Sequence, residues 1–83
     1  MRGETLGELI RNRRLQLGLT QEALAERIGE GMRQAEVSRL ESGRVTLPRR
    51  ERLERIAAAL DIPVGELLAR SGWSGFAERP SEE

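Results

Sequence analysis

The sequence predicts an all-α domain of five short helices, on two observations. Apolar residues recur at three- and four-residue spacing along the chain, with no sustained alternation of the kind a half-buried strand needs. Glycines and prolines cut that pattern into helix-length segments joined by short connections. A length of 83 residues accommodates one small domain.

The first helix spans Leu6 to Leu17, with Leu6, Leu9, Ile10 and Leu17 on one side and Arg11, Asn12 and Arg13 on the other. Thr5 and Glu8 have the spacing of a capping box, and Gly18 suits the left-handed position that ends a helix. The second helix runs from Gln21 to Ile28, with Thr20 as N-cap, Leu24, Ala25 and Ile28 inward, and Gly29 at its end. A turn, Glu30-Gly31-Met32, leads into a third helix over 33–42, which turns Val37 and Leu40 inward and stops at Gly43. After the loop Arg44-Val45-Thr46-Leu47-Pro48, the fourth helix covers about Arg49 to Leu60, with Leu53, Ile56, Ala57 and Leu60 inward. Its arginines, Arg49, Arg50, Arg52 and Arg55, alternate with Glu51 and Glu54 and read as a solvated face of intrahelical pairs. Asp61-Ile62-Pro63 breaks that helix, and the fifth, Val64 to Arg70, buries Leu67 and Leu68. Residues 1–70 form the domain. The tail, 71–83, is rich in Gly, Ser, Pro and Glu and is expected to fray after Phe76.

Composition removes whole classes of function. With no cysteine and no histidine there is no disulfide framework and no thiolate or imidazole metal site, so neither a metal nor a cofactor is expected. All 14 basic residues are arginine, so lysine chemistry is absent too. The carboxylates are almost all Glu interspersed with Arg, and no glycine-rich phosphate loop is present; the chain does not read as an enzyme. The N-terminus has no apolar signal region and the longest apolar run, Ile56 to Leu60, is far too short to span a bilayer; a soluble cytoplasmic protein without membrane contact is expected.

The informative stretch is Leu19-Thr20-Gln21-Glu22-Ala23-Leu24-Ala25, followed by Val37-Ser38-Arg39-Leu40-Glu41-Ser42-Gly43. Ala25 is small enough to let the next helix approach, and Val37 and Leu40 would pack onto it. That is a helix-turn-helix layout, whose second helix enters the major groove of DNA. With Leu53 through Leu68, these segments resemble the Cro/C1-type (XRE, phage-repressor-like) helix-turn-helix family over about Leu6 to Arg70. The turn departs from the family in being two residues longer: counting back from Gly43 puts Met32 at the turn's apolar position, Arg33 at the cap, and Glu30-Gly31 as the insertion.

The resemblance implies a five-helix lambda-repressor-like fold and roles for individual residues. Gln34, Ala35, Ser38 and Arg39 would face base edges: the Gln34 amide an adenine, the Ala35 methyl a thymine methyl, Arg39 a guanine or a phosphate. Glu36 would accept from cytosine or repel wrong registers. Gln21, Arg33, Arg44 and Thr46 would hold the backbone of double-stranded DNA. Arg14 and Glu41 would form a partly buried structural salt bridge. A homodimer reading a two-fold operator would use helix five, with Leu67, Leu68, Trp73 and Phe76 as interface candidates; Trp73 could equally fold back over the core. The function implied is a sequence-specific transcriptional regulator, most simply a repressor. The alternative is an antitoxin-like or adaptor module that binds a protein partner through helix five and the Trp73/Phe76 tail.

The net charge of zero argues, at first sight, against DNA. Its distribution removes the objection: residues 1–9 carry −1, 10–55 carry +4 and 56–83 carry −3. The basic excess falls on the half expected to face the duplex.

Overall fold

The computed structural model describes residues 4–43 and 49–70. Within them lie α1 (Leu6–Gln16), α2 (Gln21–Ile28), α3 (Gln34–Ser42), α4 (Arg50–Leu60) and α5 (Val64–Arg70), and no strand.

Local chemistry sets most boundaries. The backbone N–H of Glu8 donates to the Thr5 hydroxyl at 3.1 Å while the Thr5 N–H donates to the Glu8 carboxylate at 3.0 Å, which completes the capping box of α1. At the other end Gly18 takes φ +73°, and the Leu19 N–H turns back to the Arg14 carbonyl at 3.0 Å. The Thr20 hydroxyl accepts from the Ala23 N–H at 2.9 Å and starts α2. Arg33, not the first residue of α3, is its N-cap, and the Glu36 carboxylate accepts from the Arg33 N–H at 2.8 Å. An arginine side chain has no acceptor, so only this half of a capping box forms. Arg49 likewise caps α4 rather than beginning it.

The core is one cluster. Ile10, Leu24, Ile28, Val37, Leu53, Ile56, Leu60 and Leu67 are fully buried, joined by Ala25, Met32, Leu40, Ala57, Ala59 and Leu68. Each large side chain removed from water here contributes about 1.5–3 kcal/mol. Leu6, Leu9 and Leu17, expected in the core, pack on its edge half-buried; Met32 and Ala59 join it instead. Met32 is the apolar residue of the lengthened turn, and its burial ties that turn to the domain.

Leu67 and Leu68 are buried, as the reading of the fifth helix expects, and that burial bears on their candidacy for a dimer contact. They are 0% and 8% exposed, because α5 lays both onto the common core formed with α1 and α4. Neither offers apolar surface to a second copy of the chain. Trp73 and Phe76, the other interface candidates, lie outside the described residues, as does the whole tail, 71–83.

Gly7 was not singled out by sequence, yet it sits where α1 crosses α3. A Cβ at this position would stand 2.4 Å from the Glu41 carbonyl oxygen and 2.6 Å from that of Leu40. Only a residue without a side chain lets the two backbones meet at this distance.

Candidate nucleic-acid interface

α3 packs on α2 and α1 through Val37 and Leu40. Successive helical residues turn by about 100°, so Gln34, Ser38, Ser42, Ala35 and Arg39 fall on one arc of about 140° opposite that buried pair. Gln34, Ala35, Arg39 and Ser42 are exposed and Ser38 is half-buried. Four of the five are the expected base-contacting residues, and the structure brings all four onto one face. The fifth, Ser42, was not singled out; its hydroxyl donates to the Arg39 carbonyl at 3.2 Å and stays close to its own helix. Among the described residues, no side chain pairs with the Arg39 guanidinium. Glu36 is half-buried and occupied at the Arg33 N–H, which suits it better to shaping the helix start than to reaching a base.

Behind this face lies a polar chain that reaches into the domain. Arg14 is the one buried charged residue among those described. Its Nε donates to Glu41 Oε2 at 2.5 Å, its second terminal nitrogen to Oε1 at 3.0 Å, and its first to the Leu19 carbonyl at 2.8 Å. The two side chains are 10% and 5% exposed. The hydrogen bond to Glu41 raises the Arg14 pKa above its ordinary value, against the opposing effect of burial and with help from the carboxylate's charge.

Glu41 then passes polarity outward. A carboxylate accepts only, so the Gln21 side chain must turn its NH2 toward it, and does so at 3.0 Å. That leaves the Gln21 carbonyl facing Gln34, whose NH2 donates to it at 2.6 Å. Gln34 is left with its own carbonyl and one N–H outward, the acceptor–donor pair an adenine edge matches. Gln21 was expected at the DNA backbone; the structure places its side chain within this chain of bonds, at the start of α2.

Arg33 is exposed at the cap of α3, beside Gln34. Arg44 and Thr46, the remaining backbone-contact candidates, lie outside the described residues.

The arginines at the start of α4 are exposed or half-buried, as read from sequence, but two of them find partners outside the helix. Arg50 does pair with Glu54 four residues on, at 3.2 Å. Arg55, however, donates to the Ile28 carbonyl at 3.1 Å and lies 3.4 Å from the Glu30 carboxylate, and Arg52 reaches the Met32 sulfur at 3.8 Å. Arg13 of α1 likewise donates to the Leu60 carbonyl at 2.9 Å, at the C-terminus of α4 where a cation is favoured.

Among the described residues, no group of acidic or thiol side chains is arranged to hold a metal ion, and no helix is long and apolar enough to cross a membrane. No curated protein matches the chain. A family profile described as Helix-turn-helix matches residues 10–67, from the buried Ile10 of α1 to the buried Leu67 of α5. That span contains α2, α3 and the exposed face of α3, and the chain therefore belongs to the helix-turn-helix family of the XRE (Cro/C1) type, whose members are DNA-binding transcription regulators.

Proposed function

We propose that the chain reads a specific DNA sequence by laying α3 in the major groove, and that it acts as a repressor, binding a palindromic operator as a homodimer. The observation that carries this is the division of α3: Val37 and Leu40 are buried, while Gln34, Ala35, Ser38 and Arg39 share the outward arc. A helix whose outer face combines an oriented amide, a methyl group, a hydroxyl and a guanidinium with no side-chain partner among the described residues matches the chemistry of base edges. Arg33, Arg44 and Thr46 flank it and suit phosphate contacts, and the N-terminus of α2 at Gln21 adds free backbone donors.

With Leu67 and Leu68 taken up by the core, Trp73 and Phe76 are the interface candidates that remain, and a two-fold operator is the symmetry argument for a dimer at all. A cytoplasmic location follows from the same reading. Selection from a random duplex pool tests it. The expected result is a two-fold sequence with half-sites about one helical turn apart, bound with an affinity that falls steeply with salt. Enrichment of no sequence, with no binding at low salt, overturns it.

A further inference from the structure

The turn between α2 and α3 holds three consecutive residues with positive φ: Gly29 at +77°, Glu30 at +55° and Gly31 at +78°. Glycine takes this conformation freely; glutamate does not. A non-glycine residue kept on such a backbone between two glycines points to a use for its side chain. The Glu30 carboxylate faces Arg55, whose Nε also donates to the last carbonyl of α2, that of Ile28. The Arg55 guanidinium lies over Gly29, 3.2 Å from where a Cβ would be. Three residues earlier on α4, Arg52 covers the buried Met32 at the far end of the same turn. α4 thus grips the turn at Ile28, Glu30 and Met32, just before the Arg33 cap.

Arg55 and Glu30 are about half exposed, and such an ion pair adds little to stability. Its placement on a strained backbone therefore serves position rather than stability. We infer that Arg55 and Glu30 are positioning residues for sequence reading: they fix the lengthened turn and, through it, the height and angle at which Arg33 and Gln34 meet the duplex. This rests on the reading of α3 as the groove helix.

The test compares the full chain with Arg55→Met, Glu30→Gln and Glu30→Gly, by amide hydrogen exchange without DNA and by selection from a random duplex pool. Met32 and Val37, whose N–H groups bond to the Gly29 and Arg33 carbonyls, report on the turn. Their exchange is expected to speed up in all three variants while that of Ile56 and Leu60 in α4 stays put. Preference for the best base at one position per half-site is expected to fall about tenfold, the worth of one well-placed base contact, with the salt dependence unchanged. Glu30→Gly is expected to do this without lowering the thermal midpoint, since glycine accepts the backbone; a merely structural pair would not separate stability from base preference. Wild-type exchange and wild-type base preference in Arg55→Met and Glu30→Gly overturn the inference, as does a uniform loss of affinity for all duplexes. A wild-type protein that enriches no duplex overturns the reading of α3, and unchanged exchange in the same samples overturns the anchor by itself.

Discussion

The Gln34 side-chain NH2 donates to the Gln21 side-chain Oε1 at 2.6 Å, and this bond decides which edge of Gln34 faces outward. Gln21→Ala removes the constraint, and with it the bond that Gln21 donates to the buried Glu41 carboxylate, so a loss of stability is expected beside the effect on reading. Affinity for the preferred duplex is expected to fall by about 1 kcal/mol, the net worth of one hydrogen bond, with relaxed preference at a single base pair. Gln21→Glu is expected to be worse for the fold, because it sets a second acceptor against Glu41 where a donor is needed. Competition binding and urea melts separate the two effects.

Arg14 and Glu41 are each other's main partner in a place water hardly reaches. Glu41→Ala strands the guanidinium and is expected to cost about 3 kcal/mol or more in denaturant melts; a loss below about 1 kcal/mol would show that the pair is not effectively buried. Arg14→Met with Glu41→Leu is expected to cost less than Glu41→Ala, since no charge is left alone. Because the Arg14 pKa is raised, its contribution is complete below the ordinary arginine value and is lost only as pH rises through the raised one. The Arg14 side of the pair therefore adds no pH dependence across the neutral range.

Two glycines offer a matched comparison. Gly7→Ala places a methyl 2.4 Å from the Glu41 carbonyl oxygen, so α1 and α3 must part, at an expected cost of about 1–3 kcal/mol. Gly65, in α5, has nothing within 4 Å of the same atom, and Gly65→Ala is expected to stabilise by up to about 1 kcal/mol through helix propensity. Thermal midpoints moving in opposite directions check both.

For DNA reading, Arg39→Ala is expected to lower affinity for the preferred duplex by about 1–3 kcal/mol and to relax one base position. Arg44→Ala is expected to weaken all duplexes alike and to reduce the slope of affinity against salt by about one phosphate contact. If Arg39→Ala alters neither affinity nor preference, α3 does not dock by this face.

Element positions were legible because their causes are local. Thr5 with Glu8, Thr20, Gly18 and Gly43 carry their meaning within a turn of the chain, and the apolar stripes follow helix geometry. The outward arc of α3 was legible for the same reason, since Val37 and Leu40 fix where the opposite side lies. What sequence did not show depends on how helices meet. Arg13 and Arg55 look like surface charges at intrahelical spacing, but each caps a carbonyl of a different helix. Gly7 adds nothing to an apolar pattern; its role exists only at the crossing with α3. The chain from Glu41 through Gln21 to Gln34 joins residues 20 and 13 positions apart, and needs the crossing of α2 and α3 to close. Leu67 and Leu68 were readable as inward, but a seven-residue helix does not say which neighbours it will cover, so their burial against α1 and α4 left their further use at a dimer contact open.

The exposure of Ala35 and Arg39, set against the burial of Val37 and Leu40, has a consequence for how this protein can change over time. If α3 docks by this face, substitutions at the two outward positions alter what is read while moving folding stability by no more than about 0.5 kcal/mol. A lineage can therefore drift from one target sequence to another by single steps, each of which leaves a folded protein, and retargeting is limited by the operators on offer rather than by the tolerance of the fold.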